Sequence, residues 1–189
     1  LIKLLRDYKD LTATDRVLNK ERLLQIEKII NSVVSGNFEK DEVGSYIYKD
    51  DDGIDINIKN LSTGLKTFFI MKLLMLNNEL EENGTIILDE PEIHLHPEWQ
   101  VKFAELIVLL QKELGMHILL TTHSPYFLKA IQVFSKKYEI SDKCKYYIGK
   151  MDEKQSILID TSDKLENIFY KLTIPFENLM NEEEMYENR

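Results

Sequence analysis

The sequence predicts an α/β fold: a mainly parallel sheet flanked by helices, preceded by a helical N-terminal segment. Three observations predict it. Two short apolar runs, Thr85-Ile86-Ile87-Leu88 and His117-Ile118-Leu119-Leu120-Thr121, alternate with segments of helical periodicity, the pattern of strand–helix–strand units. The segment boundaries carry helix punctuation: Pro97 and Ser124-Pro125 where helices open, Gly115 where one closes. The 189 residues are 43% hydrophobic and 30% charged, the balance of a folded domain rather than a disordered tail.

Residues 1–12 are apolar at positions 1, 2, 4, 5, 8 and 11, a helical spacing. A second helix is expected from Thr14–Asp15, with Val17, Leu18, Leu24, Ile29, Ile30 and Val33 on one side and Ser35-Gly36-Asn37 as its stop. From Val43 the period changes to two. Tyr46-Ile47-Tyr48, then Asp50-Asp51-Asp52-Gly53, then Ile54, Ile56 and Ile58 alternating with polar residues, read as a hairpin with an Asp/Gly turn. Residues 62–82 read as a deeply buried helix that Gly84 stops. Residues 85–88 read as a parallel strand covered on both faces. A loop, a helix over 97–114, a strand over 117–121 and a helix from Ser124-Pro125 to about Tyr138 complete the alternation. Lys145–Gly149 and Ser156–Asp160 read as further strands, and 163–189 as a helical tail around Pro175, acidic at its end. The division expected is a helical segment over 1–42 and the main domain over 43–189.

Composition excludes several classes. No run approaches the roughly 18 apolar residues of a membrane span, and no signal peptide opens the chain. A single cysteine, Cys144, excludes an internal disulfide and fits a reducing cytosol. With 24 Lys+Arg against 33 Asp+Glu the net charge is −9, which lacks the basic surplus of a stand-alone nucleic-acid binder. A local basic patch, or a partner that touches nucleic acid, stays open.

The sharpest motif is Ile86-Ile87-Leu88-Asp89-Glu90. A strand that ends in two acids sets its carboxylates at the sheet edge where open α/β sheets bind ligands. Asp89 there can hold a hydrated Mg²⁺ beside phosphates, and Glu90 can take a proton from a water attacking phosphorus. Taken alone, Asp-Glu-Pro is equally a turn after a buried strand. One strand later, Thr121-Thr122-His123-Ser124-Pro125 brings His123 to the same edge if the strands are adjacent and parallel. A histidine there can donate to a terminal phosphate oxygen or position the attacking water. Upstream, in Asn60-Leu61-Ser62-Thr63-Gly64-Leu65-Lys66, the Ser62 hydroxyl, the Gly64 N–H and a helix start form an anion site or, more plainly, a well-capped core helix.

Together these motifs resemble the C-terminal half of an ATP-binding-cassette-type ATPase head, a P-loop NTPase. The resemblance is closest to the stand-alone bacterial AAA-family ATPases related to the OLD (overcoming lysogenization defect) and SMC-like proteins. Asn60–Lys66 matches the signature loop, Gly84–Glu90 the Walker B strand, and Thr121–Pro125 the switch-histidine segment. Glu92-Ile93-His94-Leu95-His96-Pro97-Glu98-Trp99-Gln100 is similar to the segment after Walker B in that branch, where transporters carry a different D-loop. The match runs from about residue 58 to 131.

The resemblance implies ATP and Mg²⁺ as cofactors and assigns roles. Asp89 would hold the Mg²⁺ through water, Glu90 would be the catalytic base and His123 would sense the γ-phosphate. Ser62 and Gly64 would touch the γ-phosphate of a nucleotide held mainly by a second copy of the head. His96, with Pro97, would shape its loop and face that second head near its nucleotide. Leu65 departs from the Gln or Glu usual at the end of the signature loop, which is expected to change tuning rather than abolish function. No G-x-x-x-x-G-K-[ST] is present; Gly-Leu-Lys-Thr at 64–67 belongs to the signature loop. With Leu at position 1, the P-loop is expected upstream, outside this chain, and the chain alone is expected to hydrolyse ATP very poorly. A degenerate head is the other reading.

Other signals are discounted. His94 and His96 form an H-x-H pair, but zinc needs three or four converging ligands. Asp50–Gly53 lacks the spacing of an EF-hand loop. Trp99 and the Tyr146-Tyr147 pair read as packing, and Glu182–Glu184 as a solvated face. The function expected is a cytoplasmic ATPase head working head to head and gating a separate effector, such as an anti-phage nuclease; only 66 residues follow His123, too few for a Toprim nuclease domain. The rivals are a pseudo-ATPase interaction module and a transporter ATPase subunit, against which the 92–100 segment argues.

Overall fold

A computed structural model describes residues 23–40, 46–49, 53, 55–152 and 155–187. The helix expected over 1–12, the start of the second helix and the hairpin-turn residues 50–52 lie outside the described residues.

Helix α1 (residues 23–31) buries Ile26 and Ile30, with Val34 following at the same spacing of four. The expected face is therefore rotated: Leu24 is 41% exposed, while Ile29 and Val33 are only partly buried. Ser35-Gly36-Asn37 does end the helical segment, but Asn37 then opens a strand the periodicity does not announce. Strand β1 (Asn37–Lys40) pairs antiparallel with β2 (Tyr46–Lys49), and β2 with β3 (Asp55–Asn57), so the hairpin gains a third strand. Lys72 Nζ donates to the carbonyls of Val34 and Gly36 at 3.0 Å each and ties the α1–β1 turn to the next helix.

That helix, α2 (Thr63–Leu76), is capped by Ser62, whose hydroxyl accepts from the Leu65 N–H at 3.3 Å. It buries Phe68, Phe69, Met71, Lys72 and Leu73. It ends at Asn77, well before the expected stop at Gly84, because Asn78 adopts a left-handed backbone (φ 54°).

The parallel part of the fold is β4 (Thr85–Asp89) beside β5 (His117–Thr121), in register from Thr85–His117 to Asp89–Thr121. Helix α3 (Pro97–Leu114) connects them; Gly115 (φ 65°) closes it with a left-handed cap. Helix α4 (Pro125–Lys137) follows β5 and lies against α3. Phe103 stacks on Phe127 (centroids 6.2 Å apart) and meets Phe68 edge-on (5.4 Å). Lys137 Nζ (2.7 Å) and the Tyr138 hydroxyl (2.6 Å) both donate to Glu105 across the helix pair. One core joins α1–α4 to the inner side of β4–β5, where Ile86, Leu88, Ile118 and Leu120 sit.

The expectation of cover on both faces is corrected among the described residues. The outer side of the pair is open, with Ile87 71% and Leu119 62% exposed. A continuous apolar run does not reveal which of its two faces a given chain covers.

Strands β6 (Tyr147–Asp152) and β7 (Gln155–Asp160) pair with each other, antiparallel, in a separate hairpin. Tyr147 is 54% exposed and only Tyr146 packs on the core, so the reading of both as core is corrected. Alternate strand positions face opposite sides, and only one side has a neighbour. Helix α5 (Glu166–Glu187) contains Pro175 and leaves Phe176, Leu179, Met185 and Tyr186 exposed. No helix among the described residues is long and apolar enough to cross a membrane.

Candidate active site

The parallel register of β4 and β5 sets their C-terminal tips side by side. At that edge the Thr121 hydroxyl donates to Asp89 Oδ1 at 2.5 Å and accepts the Glu90 N–H at 3.1 Å. One threonine thus fixes an exposed carboxylate and the backbone that turns away from it. Glu90 has φ 42°. A non-glycine residue in this left-handed region costs about 1–3 kcal/mol and persists where the surroundings impose it. The turn swings the Glu90 side chain across to the next loop, where its Oε1 lies 3.1 Å from His123 Nε2. The imidazole is 82% exposed and the carboxylate 34%, so the pair opens to solvent and to a substrate.

Beside the pair, a partly buried polar network surrounds the buried Glu92. Glu92 is 3% exposed; its Oε1 accepts the Thr122 hydroxyl. Thr122 Oγ1 in turn accepts the Ser124 N–H at 3.0 Å. The Ser124 hydroxyl donates to Gln100 Oε1 at 2.6 Å and accepts the Phe127 N–H at 3.2 Å, capping α4. Gln100 Nε2 donates to the Leu95 carbonyl at 3.1 Å. Glu92 Oε2 is buried with no hydrogen-bond partner. Thr121, Glu92, Thr122 and Gln100 escape a reading from motifs, since each acts on a neighbour rather than on a substrate. The detectable signal is polar residues of capping type at intervals inside an otherwise apolar segment.

The other sequence-selected residues sit at the starts of α2 and α3. Ser62 caps α2, and Gly64 is buried against the loop after β4. His96 caps α3, its Nδ1 accepting the Glu98 N–H at 3.4 Å. Among the described residues none of these three hydrogen-bonds to the acid pair or the imidazole. Ser62, Thr63, Ile93, His94 and His96 are all exposed. Trp99 meets Phe68 edge-on (6.4 Å), as packing.

No group of three or more His, Cys, Asp and Glu side chains that could hold a metal ion occurs among the described residues. A Mg²⁺ carried by a triphosphate needs less, since it keeps several waters and takes one or two carboxylates. Asp89, exposed at the strand end with one oxygen fixed by Thr121, fits that donor set.

Residues 3–129 match a family model described as "AAA domain, putative AbiEii toxin, Type IV TA system". Over 121 residues, 59% of this chain, the sequence is 31% identical to "Retron Vc95 probable ATPase" of Vibrio cholerae serotype O1 biovar El Tor, covering 21% of that protein. It is 28% identical over 121 residues to "Retron Ec83 probable ATPase" of Escherichia coli, covering 57% of this chain and 22% of that one. The chain spans about a fifth of the length of these curated relatives. In three dimensions it is similar to the Smc head domain with a coiled coil and joint from Pyrococcus yayanosii: TM-score 0.57 at 14% identity, over 83% of this chain and 29% of that chain.

Proposed function

The chain belongs to this AAA-domain family, and on that premise we propose that it supplies the hydrolytic half of an ATPase head of the SMC- and ABC-like type. The observation that carries the proposal is the Glu90–His123 contact of 3.1 Å at the tips of two adjacent parallel strands. A general base and a hydrogen-bond donor side by side at this edge suit attack of water on a terminal phosphate.

Glu90 takes a proton from water as its oxygen bonds to the γ-phosphorus, and ADP leaves. His123 donates to a γ-phosphate oxygen. An arriving γ-phosphate therefore competes with Glu90 for the imidazole N–H, and the carboxylate released from that contact turns to the water. Asp89, steadied by Thr121, would hold a Mg²⁺ that arrives with the nucleotide. That ion would neutralise phosphate charge that the Asp89 and Glu90 carboxylates otherwise repel.

Ser62 and Gly64 serve a nucleotide bound mainly by a second head, and His96 faces the same interface. The exposure of Ser62 and His96, with Ile93 and His94, supports a role in trans. No phosphate-gripping G-x-x-x-x-G-K-[ST] loop occurs in these residues, so the chain alone turns over ATP very poorly. The segment over 1–42 serves as a lid or insertion of the head, tied to the 43–189 body by the pairing of β1 with β2. The retron relatives support a setting in bacterial defence. In our reading the head works in the cytoplasm, and dimer opening and closing gates a separate effector such as a nuclease.

The test is steady-state ATP hydrolysis by the whole protein and its Glu90→Gln variant. Turnover that falls at least about a hundredfold, with ATP-bound dimers accumulating, supports the reading. Equal turnover in both proteins removes Glu90 as the base, and none in either makes the chain a non-catalytic interaction module instead.

A further inference from the structure

The network beside the acid pair has a feature that packing does not account for. Glu92 is almost fully buried, yet one carboxylate oxygen meets a single hydroxyl and the other meets nothing. Burying an unsatisfied acceptor costs free energy, and more for a charge. An apolar pair of similar shape at 92 and 122 would avoid that cost, so the carboxylate weakens the fold where it sits. What it secures is a location. Thr122 is held by Glu92, from the loop after β4. Ser124 is held by Gln100, from α3. Thr122 and Ser124 are further bonded to each other. The residue between them is His123. Its ring is 82% exposed and, among the described residues, its polar contact is with Glu90; its flanks are therefore what set its position.

We propose that Glu92 and Thr122 are a positioning pair: the Glu92 carboxylate, through the Thr122 hydroxyl, locks the switch segment to the acid-pair loop and thereby sets the His123 imidazole opposite Glu90. Gln100 locks the other flank through Ser124. The inference rests on the ATPase reading for its kinetic consequence but not for its structural one. The lock joins two loops that both meet the terminal phosphate, so it acts on the chemical step more than on nucleotide affinity.

A double-mutant cycle on the whole protein tests it. Glu92→Leu and Thr122→Val each remove the lock, Glu92→Gln keeps an acceptor oxygen, and Thr122→Ser keeps the hydroxyl. Each of the first two lowers kcat about tenfold, the lower end of losses seen for supporting hydrogen bonds, with KM for ATP within about twofold. The two conservative variants keep kcat within about threefold of wild type. The double Leu/Val variant loses no more than Thr122→Val alone, about tenfold and not a hundredfold, because the Glu92–Thr122 bond is removed once and the Ser124–Thr122 bond is lost in both. It also replaces both polar partners by apolar groups, so it folds even where Thr122→Val alone strands a buried carboxylate. Losses that multiply, losses confined to KM, equal losses in the conservative variants, or wild-type kcat in the double variant overturn the proposal. Should the wild-type protein hydrolyse no ATP, the ATPase reading fails and amide exchange decides the lock by itself. Faster exchange over residues 121–124 in Glu92→Leu, but not in Glu92→Gln, supports it; unchanged exchange overturns it.

Discussion

Gly64 and His94 meet with no room for a side chain: a Cβ on Gly64 would stand 2.8 Å from the His94 carbonyl oxygen and 3.3 Å from Leu95 Cδ2. The start of α2 and the loop after β4 therefore share a boundary made of backbone. The glycine that motif reading assigns to a nucleotide contact is also required by packing. The same loop carries Glu92, which grips the switch segment, and Leu95, which is buried in the core. A displacement at the acid pair thus has a short physical route to the start of α2.

Replacing Gly64 with Ala forces that boundary apart. Overpacking against backbone costs about 1–3 kcal/mol, and the gain in helix propensity of up to about 1 kcal/mol does not offset it. The expected result is a lower midpoint in thermal unfolding of the whole protein. A midpoint at or above wild type would show that the two segments yield to each other freely.

His123→Ala removes the donor opposite Glu90 and leaves the backbone lock of 122 and 124 in place. Turnover is expected to fall about a hundredfold or more, with the thermal midpoint unchanged, since the ring is mostly exposed. Chelating Mg²⁺ is expected to remove the remaining activity. Wild-type turnover in His123→Ala would assign the imidazole no part in the reaction.

The reach of the sequence depends on what each residue interacts with. The β4 and β5 strands, the α3 and α4 starts at Pro97 and Pro125, and the meeting of Glu90 with His123 are legible because short-range rules decide them: apolar runs, caps, and parallel neighbours ending at one edge. Strand β1 is not legible, since Asn37–Lys40 becomes a strand only by pairing with Tyr46–Lys49. The end of α2 at Asn77 is masked by Leu80, whose apolar side chain continues the helical pattern and packs on the core from outside the helix. Ile87 and Leu119 look like interior residues because strand residues of this type suit either face; which face is covered depends on neighbours. At the candidate site, Asp89, Glu90 and His123 are singled out by their chemistry, and Glu90 and His123 do meet. Glu92, Thr122 and Gln100 are not, because their partners are one another.

Phe103 is the tightest joint of the core. It is fully buried, stacks on Phe127 from α4 and meets Phe68 from α2 edge-on. Phe103→Ala is expected to cost about 3–5 kcal/mol, the range for a large aromatic truncated without collapse of the cavity. Denaturant unfolding at constant slope measures it. A cost under about 1 kcal/mol would mean that the three helices close over the gap.

Alkaline pH is expected to weaken the fold through two groups beside α4. Burial, with the neighbouring Cys144 adding, pushes the Tyr146 phenol up to about 12 from its ordinary 10.0. Burial, with the Asp142 charge adding, also raises the Cys144 thiol above 9.0, although hydrogen bonds with Ser135 and Tyr146 oppose it. Both groups therefore stay neutral in the folded protein at pH values where the unfolded chain has already released its protons. The unfolded state binds fewer protons there, so stability falls as pH rises. The decline begins near pH 9 for the thiol and near pH 10 for the phenol, and continues through about pH 12. Below that window neither group contributes a slope. Tyr146→Phe combined with Cys144→Ala removes both ionisations and should flatten this part of the profile, read as the urea midpoint between neutral pH and about pH 11. An unchanged alkaline slope in the double variant would place the titrating groups elsewhere in the molecule.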